Sequence, residues 1–418
     1  MIREATLQSG TFYRDGLDRL RPYGITSVDG LRRFRPPSVV AVSKSSDTFR
    51  VDADGSDTSV EGRHIYIKRY RYRGWRSYLQ GFFRGTVLGK SRARLEFELL
   101  EEMGRRGVPV VVPITYVEQR RGGLLRFAAL MTEGQANTQP LDAYFSRCQA
   151  GWDSTTRERF VRAIGKSVSQ LHDAGVRHGG LSWRNILVAG SADDGWAFTY
   201  LDPSRSCRFF AGGAPQAARI SDLSDFAASA IAHQWKPDFP HFFQSYHGDR
   251  ESSEAEQSIA REVLKRAKKK SKHESHRIAV ATMLDWLRRR TEQAATTGGD
   301  QRFDSVETFF AMLHQSDLGS GVARRWVMKF EIALDDKSPQ VRSYTVEIAP
   351  GSVTVEEASN DSPDLTIKTD ADAWLSLTNA RPDALEAIRS GRLKLQGDTR
   401  PLALLVKWCD QSARCSGG

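Results

Sequence analysis

Four side chains in the first half of the sequence have the types and the order that phosphoryl transfer requires. Lys68 ends the strand-like segment IYIK, Glu96 lies in a helix-like segment after it, and Asn185 precedes Asp202 by 17 residues. An ammonium group can neutralise phosphate charge, and a carboxylate can hold that ammonium in place. Amide and carboxylate oxygens are hard donors that suit magnesium. A Lys, Glu, Asn and Asp in this order match the kinase template.

Each of these residues also has an ordinary interpretation when it is taken alone. Lys68 has the position of a solvated lysine at a strand end, and Asp202 that of a turn residue before Pro203. Arg184 suits phosphate neutralisation and an ordinary surface position equally well. The order and spacing of the whole set favour the functional interpretation for Lys68 and Asp202.

The elements that must position these residues predict an α+β fold. Strand-like runs at 39–42, 48–51 and 64–68 precede a helix that Ser91 is predicted to cap and Gly107 to end. The predicted buried face of that helix consists of Leu95, Leu99 and Met103. From Thr155 the pattern becomes helical, with apolar residues at helical spacing that are Phe160, Ile164, Val168 and Leu171. A strand-rich part followed by a helix-rich part predicts a two-lobed domain.

Five segments in this order resemble the lipopolysaccharide core kinases, the Kdo/WaaP group within the protein kinase-like superfamily. Lys68 is followed by Ala93-Arg94-Leu95-Glu96 for the pattern A-x-x-E and by Gly107-Val108-Pro109 for G-[IV]-P. HGGLSWRN, residues 178–185, resembles H-G-D-L-x-x-x-N. Leu201-Asp202-Pro203 resembles the short motif [IL]-D-[FLP] that follows the catalytic loop. Ser221-Asp222-Leu223 resembles the later D-L pair at which a helix of the family starts. The resemblance covers about residues 20–290.

The resemblance implies ATP as phosphate donor, Mg²⁺ as cofactor and a hydroxyl of a sugar or glycolipid as acceptor. It implies that Lys68 grips the α- and β-phosphates, that Glu96 holds Lys68, and that Asn185 and Asp202 bind the metal. The strand end Met131-Thr132-Glu133 would form the adenine hinge, so Met131 and Glu133 are further nucleotide-binding candidates. His178 is expected to pack beneath the catalytic loop rather than act as a base, and Asp222 to brace that loop.

Gly180 occupies the catalytic position where the family has aspartate, the residue that orients and deprotonates the acceptor hydroxyl. Loss of a general base lowers a rate by on the order of 100- to 10,000-fold. Two hypotheses therefore stay open: an ATP-dependent kinase with a non-standard catalytic loop, and a pseudokinase that acts as a nucleotide-binding scaffold. Asp173 and Asp222 are weak candidates for a substitute base. VSKSSDTFRV stands before Lys68 where a G-x-G-x-x-G turn is expected.

The last hundred residues resemble a sterol carrier protein 2 (SCP2) domain. The segments that carry the resemblance are Thr369–Leu377, GRLKLQGD at 391–398 and a closing helix at 402–408. The resemblance implies a smaller α/β domain with an apolar tunnel for a lipid. The candidate lining residues, which are equally candidates for plain core, are Trp374, Leu377, Ile388, Leu393, Leu395, Leu402 and Leu405. A third hypothesis follows, namely a lipid carrier that its first domain docks to a membrane.

We therefore expect a strand-rich kinase-like lobe at 1–140, a helix-rich lobe at 141–316 and an SCP2-like lipid-binding domain at 320–418. The boundary is placed in the Ser- and Gly-rich segment at 314–323.

Charge and cysteine usage add expectations about location and partners. The chain carries 61 basic and 51 acidic residues, but residues 319–418 hold 13 and 14, so the positive excess precedes them. The four cysteines are scattered and the N-terminus has no apolar secretory segment, so a reduced, cytoplasmic protein is expected. The lysine-rich tract at 265–277 and the aromatic-basic stretch at 69–84 leave peripheral contact with the inner membrane face open. Nucleic acid is not expected, since no recognition helix or zinc knuckle occurs.

Overall fold

In the computed structural model the chain forms two compact units, residues 1–270 and residues 271–418. The described residues are 5–6, 11–13, 17–25, 27–34, 38–42, 46–53, 64–70, 72, 89–121, 124–233, 235, 238–249, 253–297, 303–320, 322, 324–335, 338–358, 360, 362–379, 381 and 383–414. Most of the aromatic-basic stretch at 69–84 lies outside them, as does part of the segment before Lys68.

The first unit begins with a seven-stranded antiparallel sheet. Its strands, in sequence order, are β1 (Ala5–Thr6), β2 (Thr11–Tyr13), β3 (Ser38–Val42), β4 (Ser46–Asp52), β5 (His64–Tyr70), β6 (Pro113–Arg121) and β7 (Leu124–Glu133). The spatial order is β1-β2-β6-β7-β5-β4-β3. The apolar core on one face includes Leu20 of the 3₁₀ turn Leu17–Tyr23, Ile25 of the segment after it and Leu31 of helix α1 (Val28–Arg33).

Helix α2 (Arg92–Arg105) packs on the other face of this sheet. Ser91 caps it as expected, since its hydroxyl accepts the Arg94 amide proton at 3.0 Å. Of the predicted buried face, Met103 is fully buried and Leu99 is partly buried against an apolar core, while the fully buried side chains are Ala93, Phe97, Leu100 and Met103. The helix is rotated so that Phe97 and Leu100 cover the sheet while Glu96 faces Lys68.

The helical part of the first unit has a separate apolar core. Its helices are α3 (Leu141–Cys148), α4 (Ser154–Asp173), α5 (Gln216–Ala232), α6 (Phe239–Tyr246) and the long α7 (Glu254–Thr297), whose residues from Ser271 onward belong to the second unit. The four apolar residues predicted for the buried face of α4 are all 0–1% exposed.

Short strands connect these helices and carry the loops of interest. They are β8 (Gln139–Pro140), β9 (Val176–Arg177), β10 (Ile186–Ser191), β11 (Gly195–Tyr200) and β12 (Arg208–Phe209). β8, β10 and β11 form one small sheet, and β9 pairs with β12 in another. The segment HGGLSWRN runs from β9 to β10 and ends in the 3₁₀ turn Trp183–Asn185.

The second unit is a five-stranded sheet covered by helices. Its strands are β13 (Trp326–Asp335), β14 (Ser338–Ala349), β15 (Ser352–Glu356), β16 (Leu365–Asp370) and β17 (Lys394–Gly397), in the order β15-β14-β13-β16-β17. β16 returns parallel to β13, whereas the other pairs are antiparallel. The helices are α8 (Val306–His314), α9 (Ala371–Thr378), α10 (Ala384–Ser390) and α11 (Arg400–Arg414).

The compact units divide at Lys270 and Ser271, earlier than the boundary predicted at 314–323. The physical reason is packing: Trp286 and Leu287 of α7 and Phe309 of α8 share one apolar core with the C-terminal sheet. The two lobes and their limits at 140, 316 and 320 stay a prediction.

Candidate active site

The center of the candidate site is the amine of Lys68. In β5, Lys68 lies opposite Leu130 of β7 and points to the face that α2 covers. Its Nζ lies 3.1 Å from each carboxylate oxygen of Glu96 and also donates to Asp202. Tyr70, two positions further along the same face of β5, donates its hydroxyl proton to Glu96. Three of the four predicted residues therefore meet at one point.

The charges of this cluster are mutually dependent. Burial opposes the charge of Lys68, but Glu96 and Asp202 outweigh it and raise the Lys68 pKa. Burial, assisted by the charge of Asp202, raises the pKa of Glu96 to about 7, although Lys68 and Tyr70 act in the opposite direction. Burial also opposes ionisation of Asp202, but Lys68 outweighs it and lowers the Asp202 pKa. Lys68 therefore faces two acids of different character: Asp202 is held ionised, whereas Glu96 keeps its proton up to about pH 7.

Asp222 braces the loop at 178–185, as expected. Its carboxylate is fully buried and accepts the backbone amide protons of His178 at 2.6 Å and Gly179 at 2.8 Å. The His178 ring is buried, and its Nε2 lies 3.0 Å from the carbonyl oxygen of Leu201. Burial lowers the His178 pKa more than Asp222 raises it, so the neutral ring donates Nε2–H to that carbonyl. His178 therefore links two loops, which fits the structural role predicted for it.

Asn185 is joined to the segment that carries Asp202. The Leu201 amide donates to the Asn185 carbonyl at 3.1 Å, which places the two predicted metal ligands on adjoining backbone. The Asn185 side-chain nitrogen donates to the Gly180 carbonyl at 2.8 Å. This bond uses the amide nitrogen and fixes the side-chain rotation, which leaves the amide oxygen as the hard donor for a cation.

The two adjacent glycines of the loop have different surroundings. Gly179 has φ +76°, and a Cβ there would lie 2.5 Å from Ser206 Oγ and 2.7 Å from Ser204 Oγ. Both hydroxyls donate to the Gly179 carbonyl, at 3.0 and 2.7 Å. A Cβ at Gly180 would meet only the Ser204 Cβ, at 3.5 Å, an ordinary van der Waals distance. The backbone therefore requires glycine at 179 but leaves room for a side chain at 180.

A short backbone connection ties α2 to the strand before Asp202. The Tyr200 amide donates to the Pro109 carbonyl at 2.8 Å, and the Val111 amide donates to the Tyr200 carbonyl at 3.1 Å. The predicted segment Gly107-Val108-Pro109 thus extends from the end of α2 to β11. Two residues beyond Tyr200, Asp202 adopts φ +59°. This left-handed conformation, which is rare outside glycine and best tolerated by Asn and Asp, turns the chain at the site.

The donor set suits magnesium held jointly with phosphate. Among the residues that the structure describes, no group of three or more His, Cys, Asp or Glu side chains gathers to form a complete metal site. Mg²⁺ is commonly held by one or two carboxylates together with substrate phosphates and water. Asp202, whose side chain is 42% exposed, and the Asn185 amide oxygen fit that arrangement.

The expected adenine hinge is not part of the Lys68 cluster. The Met131 side chain is fully buried in the core on the opposite face of the sheet, with Ile65 and Ile67. Glu133 ends β7, and its amide donates to the Val112 carbonyl at 2.9 Å. Adenine contacts by Met131 and Glu133 therefore stay a prediction.

The proposed substitute bases lie elsewhere. Asp173 is 60% exposed and pairs with Arg219 at 2.8 Å, while Asp222 is committed to the loop amides. Neither provides a carboxylate at Gly180. Sequence reasoning missed Tyr70 and Ser204; the alternation of β5 could have revealed Tyr70, because it shares the face of Lys68.

The candidate lipid-lining residues of the second unit lie in or against one apolar core. Trp374, Leu377, Leu402 and Leu405 are 2–5% exposed. Ile388, Leu393 and Leu395 are partly buried against them. The Trp374 ring lies 5.2 Å from the ring of Phe309 and 5.3 Å from that of Phe330. Aromatic side chains thus surround Trp374 on more than one side.

Residues 42–246 match the family model of the lipopolysaccharide kinase (Kdo/WaaP) family, and residues 310–407 match that of the SCP-2 sterol transfer family. The chain therefore combines a region similar to the Kdo/WaaP family, here called the Kdo/WaaP-type region (residues 42–246), with a region similar to the SCP-2 family (residues 310–407). The Kdo/WaaP-type region contains every residue of the Lys68 cluster and its loops, and the resemblance inferred from the motifs is confirmed.

Curated relatives match about 30% of the chain. The 3-deoxy-D-manno-octulosonic acid kinase of Haemophilus influenzae (strain PittEE) is 30% identical over 123 residues, which are 29% of this chain and 48% of the relative. The enzyme of the same name from Mannheimia succiniciproducens is 32% identical over 129 residues, 30% of this chain and 51% of the relative. The chain spans about half the length of the curated relatives it matches.

Two solved structures are similar to parts of the chain. WaaP in complex with acyl carrier protein aligns with a TM-score of 0.43 at 20% identity, over 60% of this chain and 95% of that chain. Sterol carrier protein 2 like 2 from Aedes aegypti aligns with a TM-score of 0.21 at 20% identity, over 24% of this chain and 90% of that chain. Within the described residues, no helix has both the length and the apolar composition to cross a bilayer.

Proposed function

We propose that the Kdo/WaaP-type region binds ATP with Mg²⁺ and transfers the γ-phosphate to a hydroxyl of a sugar or glycolipid. The observation that carries the proposal is the convergence of Lys68, Glu96 and Asp202, from a strand, a helix and a loop, on one ammonium group. Ion pairs that are partly removed from water contribute little net stability, because the cost of desolvation offsets their attraction, so the arrangement favours a role in binding.

Each residue has a role that its contacts support. Lys68 neutralises phosphate charge while Glu96 and Tyr70 fix its direction. Asp202 and Asn185 hold the metal, which supplies charge neutralisation on the phosphates. The acceptor oxygen forms a bond to the γ-phosphorus as the bond from that phosphorus to ADP breaks. The hydroxyl proton passes to water or to the acceptor's own groups, because Gly180 offers no base.

The acceptor to test first is suggested by the relatives, which are named 3-deoxy-D-manno-octulosonic acid kinases. A sugar acid of that class, free or within a glycolipid, is therefore the first acceptor class. Because Gly180 supplies no carboxylate, the site favours an acceptor hydroxyl that can lose its proton without a base from the protein.

Nucleotide binding is tested by thermal unfolding of the full chain with Mg²⁺-ATP, for wild type, Asp202→Asn and the control Asp193→Asn. Asp193 lies on the exposed turn between β10 and β11, so the control has the same charge change away from the site. We expect Mg²⁺-ATP to raise the melting temperature of wild type and the control, and not of Asp202→Asn. No shift in wild type would contradict the proposal.

The second candidate is a pseudokinase that binds nucleotide as a scaffold, and Gly180 favours it. Transfer of ³²P from γ-labelled ATP to 3-deoxy-D-manno-octulosonic acid or to a glycolipid extract separates the two. Labelled product in wild type and none in Lys68→Met supports the kinase. Binding without labelled product supports the scaffold.

The SCP2-like domain and the basic helix suggest further partners. A lipid chain would have to enter among Trp374, Phe309 and Phe330, so we expect binding to quench tryptophan fluorescence.

On α7, Lys265, Arg266 and Lys269 are exposed, while Val263 and Ala267 face the core, which makes one cationic face. Such a face suits peripheral contact with an anionic membrane and a cytoplasmic location. Co-sedimentation with phosphatidylglycerol vesicles tests this contact.

A further inference from the structure

A single guanidinium group at the end of α2 touches three segments of the first unit. Arg106 follows the last residue of α2, and its Nε donates to the Glu102 carboxylate at 2.8 Å. Its Nη1 donates to the carbonyl oxygens of Phe210 at 2.8 Å and of Ala174 at 3.3 Å. The guanidinium also lies 4.9 Å from the center of the Phe209 ring.

The two carbonyls belong to the backbone that leads into and out of the site. Ala174 follows the last residue of α4, Gly175 separates it from β9, and β9 leads directly to His178. Phe210 follows β12, which comes after the segment that begins at Asp202. The two backbones are themselves joined, since the Phe210 amide donates to the Gly175 carbonyl at 2.9 Å.

The surroundings of Arg106 are shaped to admit it. A Cβ at Gly175 would lie 3.0 Å from Arg106 Nη1 and closer still to the carbonyl oxygens of Gly212 and Phe210. Glycine at 175, with φ +73°, therefore leaves the space that the guanidinium and the carbonyls share. The planar fork of arginine can donate to several acceptors at once, which the single ammonium of lysine does with less geometric control.

We propose that Arg106 is a positioning residue, which fixes the helix that carries Glu96 relative to the loops that carry Asn185 and Asp202. The inference rests on the proposed function and deepens it, since it names what sets the geometry of the Lys68 cluster. Glu96 lies ten residues before Arg106, about 15 Å along a helix. If α2 tilted by about 4° about its Arg106 end, Glu96 would move by about 1 Å. A displacement of that size can cost on the order of 100-fold in function.

The test compares Arg106→Met with Arg105→Met in the full chain. Arg105→Met is the matched control, because Arg105 is the preceding residue, is 70% exposed and pairs with the same Glu102 at 2.5 Å. Both variants lose one charge next to Glu102, but only the first loses the bonds to Phe210 and Ala174. A third variant, Arg106→Lys, keeps the charge and loses the fork.

The readout is the affinity for Mg²⁺-ATP, measured by titration, alongside the melting temperature without nucleotide. We expect Arg106→Met to weaken the affinity about 10- to 100-fold, Arg106→Lys to recover only part of it, and Arg105→Met to stay within about twofold of wild type. A purely stabilising role would lower the melting temperature and leave the affinity unchanged.

Three results would overturn the inference: wild-type affinity in Arg106→Met, full recovery in Arg106→Lys, or an equal loss in Arg105→Met. If Arg106→Met does not fold, the affinity of Arg106→Lys for Mg²⁺-ATP is compared with that of Arg105→Met, and equal affinities would overturn the inference. Absence of Mg²⁺-ATP binding in wild type is a different result, which contradicts the proposed function itself.

Discussion

Replacing each of the two loop glycines by alanine should have very different effects on stability. At Gly179 an alanine must adopt φ +76°, at a cost of about 1–2 kcal/mol for an L-residue in the left-handed region. Its Cβ would also displace the Ser204 and Ser206 hydroxyls from the Gly179 carbonyl, and each lost bond costs about 1 kcal/mol. The sum is about 3–4 kcal/mol. At Gly180 the Cβ makes only an ordinary contact with Ser204, so we expect a change within about 1 kcal/mol.

The measurement is hydrogen exchange of the full-length variants, read on peptides that cover residues 176–206. Gly179→Ala should lower the protection of these peptides by about two orders of magnitude or more, while Gly180→Ala leaves it nearly unchanged. Similar losses in both variants would refute the reasoning, because they would mean that position 180 is as constrained as position 179.

Three further predictions concern the base, the buried acid and the second unit. Gly180→Asp should raise the rate of phosphate transfer by about 100-fold or more, because it restores a general base. Gly180→Asn has a side chain of the same size without a base and should not raise the rate. Equal rates in the two variants would argue against position 180 as the place of the base. Burial raises the pKa of Glu96 from 4.5 to about 7, so between these pH values the folded chain holds a proton that the unfolded chain has released. Stability without nucleotide should therefore fall as pH rises from about 4.5 to 7, less so in Glu96→Gln, and a parallel pH profile in the variant would contradict this. Trp374→Ala should cost about 3–5 kcal/mol in urea unfolding of the second unit, against much less for the half-buried Leu393→Ala.

The motif residues were predictable because their chemistry restricts both type and order. Lys68, Glu96 and Asp202 meet as the sequence predicts, and the cap at Ser91 and the turn at Gly107 follow from local rules. Local rules use only neighbouring residues, so they need no knowledge of the fold.

Other features depend on contacts between distant segments. The spacing of Leu95, Leu99 and Met103 did not predict that Phe97 and Leu100 cover the sheet, because it does not contain the contact between Glu96 and Lys68 that orients α2. Met131 lies in the core because the pairing of Lys68 with Leu130 sets the alternation of β7, and this register is visible only in the sheet.

Asp202 owes part of its position to its backbone. With φ at +59°, it adopts a conformation that Asn shares readily and most other side chains resist. An alanine there would remove the carboxylate and also disturb the turn, so a null phenotype of Asp202→Ala would mix two causes. Asparagine separates them: it keeps the chain path and the side-chain volume, and it removes only the negative charge. For this chain, Asp202→Asn is the informative knock-out.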